Sequence, residues 1–252
     1  MVRLGQNFLA DPNLLAAIVR DAKLGAEDVV IEIGGGEGVL SAELAHAVRH
    51  VHVIELDERL RAQLEELAAE RQNVELHFAD AMRLDLATLA PLPSAMVANL
   101  PYAVATPLLL RSIEQLPSLQ TWTVMVQREI ADRLRAAPGS RVYGAPSALI
   151  QLACEVRMLR RVDRAVFTPR PRVDSAVLRL ERTGPAPAPR VHRLVHDAFA
   201  HRRKALASSL ELARPGSRSA ARDALAELGL PPDARAEQLA PADFATLAER
   251  LQ

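Results

Sequence analysis

Short apolar runs rich in valine and isoleucine recur up to about residue 180, and stretches with helical periodicity separate them. The runs Val29–Ile33, Val51–Glu55, Val74–Phe78, Ala95–Ala98, Thr121–Gln127, Ala153–Leu159 and Ala176–Leu180 have the length of strands. Their near-continuous apolar character suits strands covered on both faces. Strands alternating with helices predict an α/β fold built on a doubly wound parallel sheet. Helix starts are marked at Asp11-Pro12 and Thr106-Pro107, where an acceptor side chain precedes a proline at the first helical position.

The pattern changes after Arg182. Thr183-Gly184-Pro185-Ala186-Pro187-Ala188-Pro189 carries alternating prolines, which neither pair in a sheet nor continue a helix, so it reads as a linker. Beyond it, Arg190–Leu212, Ser219–Leu228 and Pro241–Leu251 show helical periodicity and no strand pattern follows. The division expected is therefore a sheet domain, residues 1–182, and a small C-terminal α-helical domain, residues 183–252.

Composition narrows the function classes. At 252 residues, 49% hydrophobic and 25% charged, the chain has the make-up of a globular protein able to bury a core. It shows no apolar run near the roughly 20 residues of a membrane span. The start, Met1-Val2-Arg3-Leu4-Gly5, lacks a secretory layout, so a cytoplasmic protein without membrane contact is expected. Cys154 is the only cysteine, which excludes an intrachain disulfide and a thiolate metal cluster. His192 and His196 have helical i, i+4 spacing, but no third ligand or glutamate neighbour completes a zinc motif, and no metal is expected.

A formal net charge of +0 argues at first against a nucleic-acid partner, but the charge is uneven. Between Arg157 and Arg222 stand sixteen Arg/Lys and five Asp/Glu. Such asymmetry points to a local surface for polyanions, against the plainer alternative of a solvated charged face.

The chemistry concentrates at strand ends. Val29–Ile33 runs into Gly34-Gly35-Gly36-Glu37-Gly38, glycines that allow a sharp turn and close approach of a ligand. A dinucleotide fingerprint needs its third glycine where Val39 stands. The form E-x-G-x-G-x-G, from Glu32 to Gly38, resembles instead motif I of class I methyltransferases. The next strand ends at Glu55, placed to accept hydrogen bonds from ribose hydroxyls. Asp80 follows the third strand, where the same resemblance implies a contact to the adenine amine of a bound cofactor.

The fourth strand ends Asn99-Leu100-Pro101-Tyr102 and resembles the N-x-P-Y motif of methyltransferases acting on exocyclic amines. An adenine N6 lone pair is delocalised into the ring, so a site that methylates it must accept hydrogen bonds from the amine as positive charge develops. The Asn99 amide oxygen and the Leu100 carbonyl suit that task, with Pro101 setting the turn and Tyr102 offering a stacking face. Such stacking is worth about 1–3 kcal/mol per base, similar to the cost of unstacking a nucleotide.

Together with Gly5-Gln6-Asn7-Phe8-Leu9, Tyr143-Gly144, the run from Phe167 to Val177 and Phe199-Ala200-His201-Arg202-Arg203-Lys204, these residues resemble the KsgA-type rRNA adenine dimethyltransferases from about Leu4 to Leu251. The resemblance implies a class I, Rossmann-like methyltransferase sheet with S-adenosyl-L-methionine as cofactor, contacted by Asn7, Leu9, Gly34, Gly36, Glu55, Asp80 and Asn99. It implies a catalytic group of Asn99, Leu100, Pro101 and Tyr102, with Phe167 facing Tyr102 across the target adenine. It further implies that a monomer dimethylates N6 of two adjacent adenosines in a hairpin near the 3′ end of 16S rRNA, within the assembling small ribosomal subunit.

On this basis residues 1–182 are expected to bind the cofactor and carry catalysis. Residues 183–252 are expected to bind RNA or the subunit, with RNA contacts at Arg170, Arg172, Arg202, Arg203 and Lys204. Ala103 and Ala105 depart from the polar residues usual after the N-L-P-Y motif, so two polar contacts near the base are absent. A large-subunit rRNA methyltransferase of the macrolide-resistance type, an assembly factor and a small-molecule methyltransferase remain as alternatives.

Overall fold

A computed structural model of the chain describes residues 8–9 and 11–251. Nine strands and ten helices are formed among them: β1 (Phe8–Leu9), α1 (Pro12–Ala22), β2 (Val29–Ile33), α2 (Val39–Ala47), β3 (His50–Glu55), α3 (Arg61–Glu70), β4 (Val74–Phe78), β5 (Ala95–Asn99), α4 (Ala105–Gln115), β6 (Thr121–Gln127), α5 (Arg128–Leu134), α6 (Ala145–Ala153), β7 (Cys154–Val162), β8 (Phe167–Thr168), β9 (Ser175–Arg182), α7 (Pro189–Ala200), α8 (Leu206–Ala213), α9 (Arg218–Glu227) and α10 (Pro241–Arg250).

The main sheet has seven strands in the order β4-β3-β2-β5-β6-β9-β7. The five strands from β4 to β6 are parallel, and β9 runs antiparallel to β6, with Trp122 opposite Leu180 and Gln127 opposite Ser175. The sheet is thus mixed where the periodicity predicts parallel strands throughout. Apolar runs report burial on both faces but not direction, and helical crossovers are needed only between parallel neighbours.

Chain order reverses between β2 and β5. From β2 the chain builds outward through β3 to β4, and from β5 in the opposite sense to β6. Such a switch point leaves a crevice beyond the carboxyl ends of the two central strands.

Helix α1 begins as its sequence signals, with Asp11 accepting from the backbone N–H groups of Asn13 and Leu14. It buries Leu15, Ile18 and Ala22 on one face; each large aliphatic side chain so buried contributes about 1.5–3 kcal/mol. Helix α4 departs from expectation. It starts at Ala105, so Thr106 lies inside the first turn instead of capping it. The Val104 N–H already donates to the Pro101 carbonyl, and Ala105 is buried, which brings the turn forward.

Two compact units make up the structure, one of Met1–Ala131 with Glu155–Arg182, the other of Asp132–Cys154 with Thr183–Gln252. One crossing falls at the linker predicted by the prolines. The second unit also takes in residues 132–154, which the prediction assigned to the sheet domain. Helix α6 supplies the reason: it packs against α7 and α10, and the N–H groups of Thr183 and Gly184 both donate to its Ala153 carbonyl.

Inside the second unit Phe199 lies between buried Tyr143 and Phe244, with ring centroids 6.0 and 5.8 Å away. The predicted helix Arg190–Leu212 is broken into α7 and α8 by the turn at residues 201–205, closed by a hydrogen bond from the Lys204 N–H to the His201 carbonyl. No described helix is long and apolar enough to cross a membrane.

Candidate active site

The crevice at the switch point holds a cavity of about 440 Å³, built wholly from the first unit. Its walls include the glycine turn after β2, Glu55 and Leu56 after β3, Asp80, Ala81 and Met82 after β4, and Asn99–Val104 after β5. Four sequence-distant strand ends meet there because parallel strands put all their carboxyl termini on one edge.

The glycine turn is held tightly. Gly34 and Gly36 have φ of 84° and 57°, a region open to glycine and strained for other residues. A side chain on Gly35 would put its Cβ 2.4 Å from Cγ1 of buried Val53. On Gly36 it would meet the Phe8 ring at 3.3 Å, so Phe8 closes one side of the turn.

Glu55 is 5% exposed and organises the neighbouring loops. One carboxylate oxygen accepts from the Gly36 N–H at 2.8 Å; the other accepts from the N–H groups of Leu56 and Asp57, each at 2.8 Å. It therefore ties the glycine turn to the end of β3. A carboxylate has about four acceptor positions, so three backbone donors leave capacity for a ligand hydroxyl. Asp80 is more open, its side chain 38% exposed, with Oδ1 accepting from the Met82 N–H at 2.8 Å.

The turn after β5 is anchored by the Leu100 N–H, which donates to the Met125 carbonyl on β6 at 3.0 Å. Tyr102 is half-buried, and its hydroxyl hydrogen-bonds Ser175 Oγ at 2.6 Å. Burial, the larger influence, raises the phenol's pKa, so it stays protonated at neutral pH. The ring is thus tethered at its polar end. Ser175 stands inside a motif read from the sequence, yet no local spacing links it to a tyrosine 73 positions away.

Glu32 lines the same cavity from within β2 and is buried. Loss of hydration dominates its titration and lifts its pKa from 4.5 to about 8, opposed by a hydrogen bond donated from Ser41 Oγ at 2.5 Å. Folding is then linked to proton uptake between those two values. The resulting stability is fully present below about pH 4.5 and is lost as pH rises through about 8. Compared with Glu32→Gln, the unmodified chain should lose up to about 1.4 kcal/mol of stability per pH unit across that window. Denaturant unfolding of both chains at several pH values checks this; parallel pH profiles would contradict it.

Other expected residues are placed differently. Asn7 lies outside the described residues, whereas Leu9 lines the cavity. Phe167 pairs with Leu9 across β1 and β8 but is 3% exposed, packs in the hydrophobic cluster with Leu15, Ile18 and Val162, and is absent from the cavity wall. Phe167 thus sits in the core beside Leu9, whereas Tyr102 lines the cavity. Ala103 faces the cavity, but Ala105 is buried in α4, so only one of the two departures bears on a ligand.

Arg170 and Arg172 are exposed, as are Arg203 and Lys204. Arg202 is not free for an external phosphate. Its guanidinium donates to Glu237 at 2.6 Å and to the Arg141 carbonyl at 2.6 Å, pinning the turn between α7 and α8.

Comparison with known proteins accords with this geometry. The model of the family described as ribosomal RNA adenine dimethylase matches residues 2–252. The chain belongs to that family. It is 46% identical to ribosomal RNA small subunit methyltransferase A of Rubrobacter xylanophilus over 252 residues, covering 99% of this chain and 94% of that protein. The corresponding protein of Thermobifida fusca is 44% identical, with 98% and 88% covered.

Among solved structures, a dimethyladenosine transferase from Plasmodium falciparum superposes with a TM-score of 0.81 at 25% identity, covering 95% of each chain. The 23S rRNA methyltransferase ErmE superposes with a TM-score of 0.72 at 29% identity, covering 97% and 99%. This family member is accordingly a class I methyltransferase in fold and uses S-adenosylmethionine. The site fits that group: glycines open the turn, two carboxylates supply acceptors for a nucleoside, and Ile33, Ile54, Leu56 and Met82 give apolar walls for a purine.

Proposed function

We propose that this chain transfers two methyl groups from S-adenosylmethionine to N6 of each of two adjacent adenosines in a hairpin near the 3′ end of 16S rRNA, during assembly of the small subunit. The observation that carries the reading is the meeting of the glycine turn, Glu55, Asp80 and the Asn99–Tyr102 turn on one cavity. The small-subunit assignments of its relatives favour this substrate over the large subunit. In this reading the enzyme works as a cytoplasmic monomer.

Bound cofactor supplies an electrophilic methyl on sulfonium. Glu55 and the Gly34 and Gly36 turn would hold its ribose and methionine end, Asp80 would meet its adenine amine, and Leu9 would cover it. The Asn99 amide oxygen also borders the cofactor, and with the Leu100 carbonyl it accepts hydrogen bonds from the target amine, stabilising the charge that grows on N6 as it attacks in line. Pro101 aims the Leu100 carbonyl, and Tyr102 stacks on the extruded base while Ser175 holds its hydroxyl. No side-chain base is required, because the methylated amine is acidic enough to lose its proton to water.

Incubating the chain with labelled cofactor and, side by side, undermethylated small and large subunits should place label on two adjacent adenosines of 16S rRNA. Label confined to large-subunit rRNA would instead support an ErmE-like activity.

Subunit contact is assigned to Arg203 and Lys204 together with Arg170 and Arg172. Reversing the charge of Arg203 and Lys204 should weaken subunit binding and reduce the slope of log affinity against log salt by about one to two units. An unchanged slope would mean these side chains are merely solvated. Arg202→Glu behaves differently, lowering the stability of the second unit through loss of the Glu237 pair.

A further inference from the structure

Strands β3 and β4 carry a second set of chemistry-bearing side chains, none of which lines the cavity. His50 and His52 are two apart on β3, Glu75 and His77 two apart on β4, and His52 lies opposite Glu75 in register. Alternate residues on a strand share a face, so all four project from one side of the sheet edge. His50 Nε2 lies 3.2 Å from Glu75 Oε2, and His52 Nδ1 lies 3.5 Å from the same oxygen. His77 Nε2 is 3.1 Å from His52 Nδ1 and 3.6 Å from Glu75 Oε1.

The orientation of His52 is decided by its other nitrogen. Nε2 is 2.8 Å from the Pro91 carbonyl, which only accepts, so Nε2 carries a proton and donates it. In the neutral ring the Nδ1 lone pair then points into the cluster, where a metal ion can take it in place of the hydrogen bond that His77 Nε2, 3.1 Å away, can donate. The Glu75 carboxylate, 3.5 Å from Nδ1, only accepts and turns a second lone pair the same way. An imidazole steered by a backbone carbonyl behind it is the usual support of a metal ligand.

We propose that His50 Nε2, His52 Nδ1 and the Glu75 carboxylate bind a divalent transition-metal ion of the zinc class, with solvent in the fourth position. Bonds of about 2.0–2.1 Å in a tetrahedron set neighbouring ligand atoms about 3.3–3.4 Å apart. His50 Nε2 and His52 Nδ1 lie 3.2 and 3.5 Å from Glu75 Oε2, close to that edge, and the ligand atoms of His50, His52 and Glu75 all lie within 4.8 Å of one another. Imidazole nitrogens favour zinc-class ions over magnesium or calcium. Glu75, 45% exposed, opens the site to solvent while His52 is enclosed.

The role is structural. The three ligands lie three to five residues before Glu55 and Asp80, about 10–16 Å along the strands, so the site takes no part in methyl transfer. It clips edge strand β4 to β3, the two strands that present those carboxylates. The pair suggested by spacing alone, His192 and His196 with ring centroids 4.9 Å apart, serves as the control.

The test uses the full chain without an affinity tag, stripped by chelator and dialysed against zinc or cobalt chloride. Expected are about one equivalent bound per chain at micromolar metal, visible cobalt d–d bands of low coordination number, and a Tm raised by several degrees. His50→Ala and Glu75→Gln, both at partly exposed positions, should each bind about 100-fold or more weakly and lose the Tm rise, while His196→Ala keeps both. Absence of uptake at micromolar metal, or equal uptake by His50→Ala and Glu75→Gln, would overturn the proposal.

Discussion

Replacing Asn99 by alanine should lower the rate of methyl transfer by about 100- to 1,000-fold, the usual cost of removing one oriented partner for a charge that develops in the transition state. The substitution removes the acceptor and leaves the backbone of the turn in place. Asn99 is the last residue of β5, paired with Met125 on β6, and the following Leu100 N–H is held by the Met125 carbonyl. The backbone turn through Pro101 therefore persists, and so does the Leu100 carbonyl as a second acceptor. Glu55 and Asp80 also remain, so cofactor affinity should stay within a few-fold of normal. Single-turnover transfer to undermethylated subunits, read beside calorimetric titration of the cofactor, separates the two effects. Near-normal turnover would remove Asn99 from the chemistry.

Glu55→Ala should show the opposite division, with cofactor affinity falling about 100-fold or more and turnover partly recovering at saturating cofactor. The expected size follows from two losses. A ribose acceptor disappears, and the N–H groups of Gly36, Leu56 and Asp57 lose the oxygens that hold them. Each buried donor left unmatched costs about 1–3 kcal/mol, so the glycine turn loosens and the folded chain weakens as well. Glu55→Gln retains one carbonyl oxygen and should fall between the two. A cofactor Kd within three-fold of normal in Glu55→Ala would show that Glu55 only braces the loop. The contrast with Asn99→Ala is the informative one, because one substitution acts on binding and the other on the step after it.

Much of the site was legible because its residues sit at the ends of apolar runs. Glu55, Asp80 and Asn99 each follow a stretch whose length and composition mark a buried strand, and the structure brings all three to one cavity wall. The burial of Phe167 is not legible in the same way. Its neighbours Pro169 and Pro171 signal a loop, but a loop can still send an aromatic ring inward, and here the ring completes the cluster behind Leu9. Arg202, Arg203 and Lys204 are alike in sequence and unlike in structure, since only Arg202 finds Glu237, 35 positions away.

The sequence by itself determined the seven strands of the main sheet, the linker after Arg182, the glycine turn and the exocyclic-amine motif, because each depends on composition or spacing within a few residues. Tertiary structure alone decided what depends on distant partners. It turned β9 antiparallel against β6, drew residues 132–154 into the helical unit, tethered Tyr102 to Ser175, and gathered His50, His52, Glu75 and His77 on one sheet edge. The physical reason is common to all of these. Hydrogen bonds and ligand sets form between side chains that the register and the order of strands bring together, and neither quantity is written in the local period of the chain.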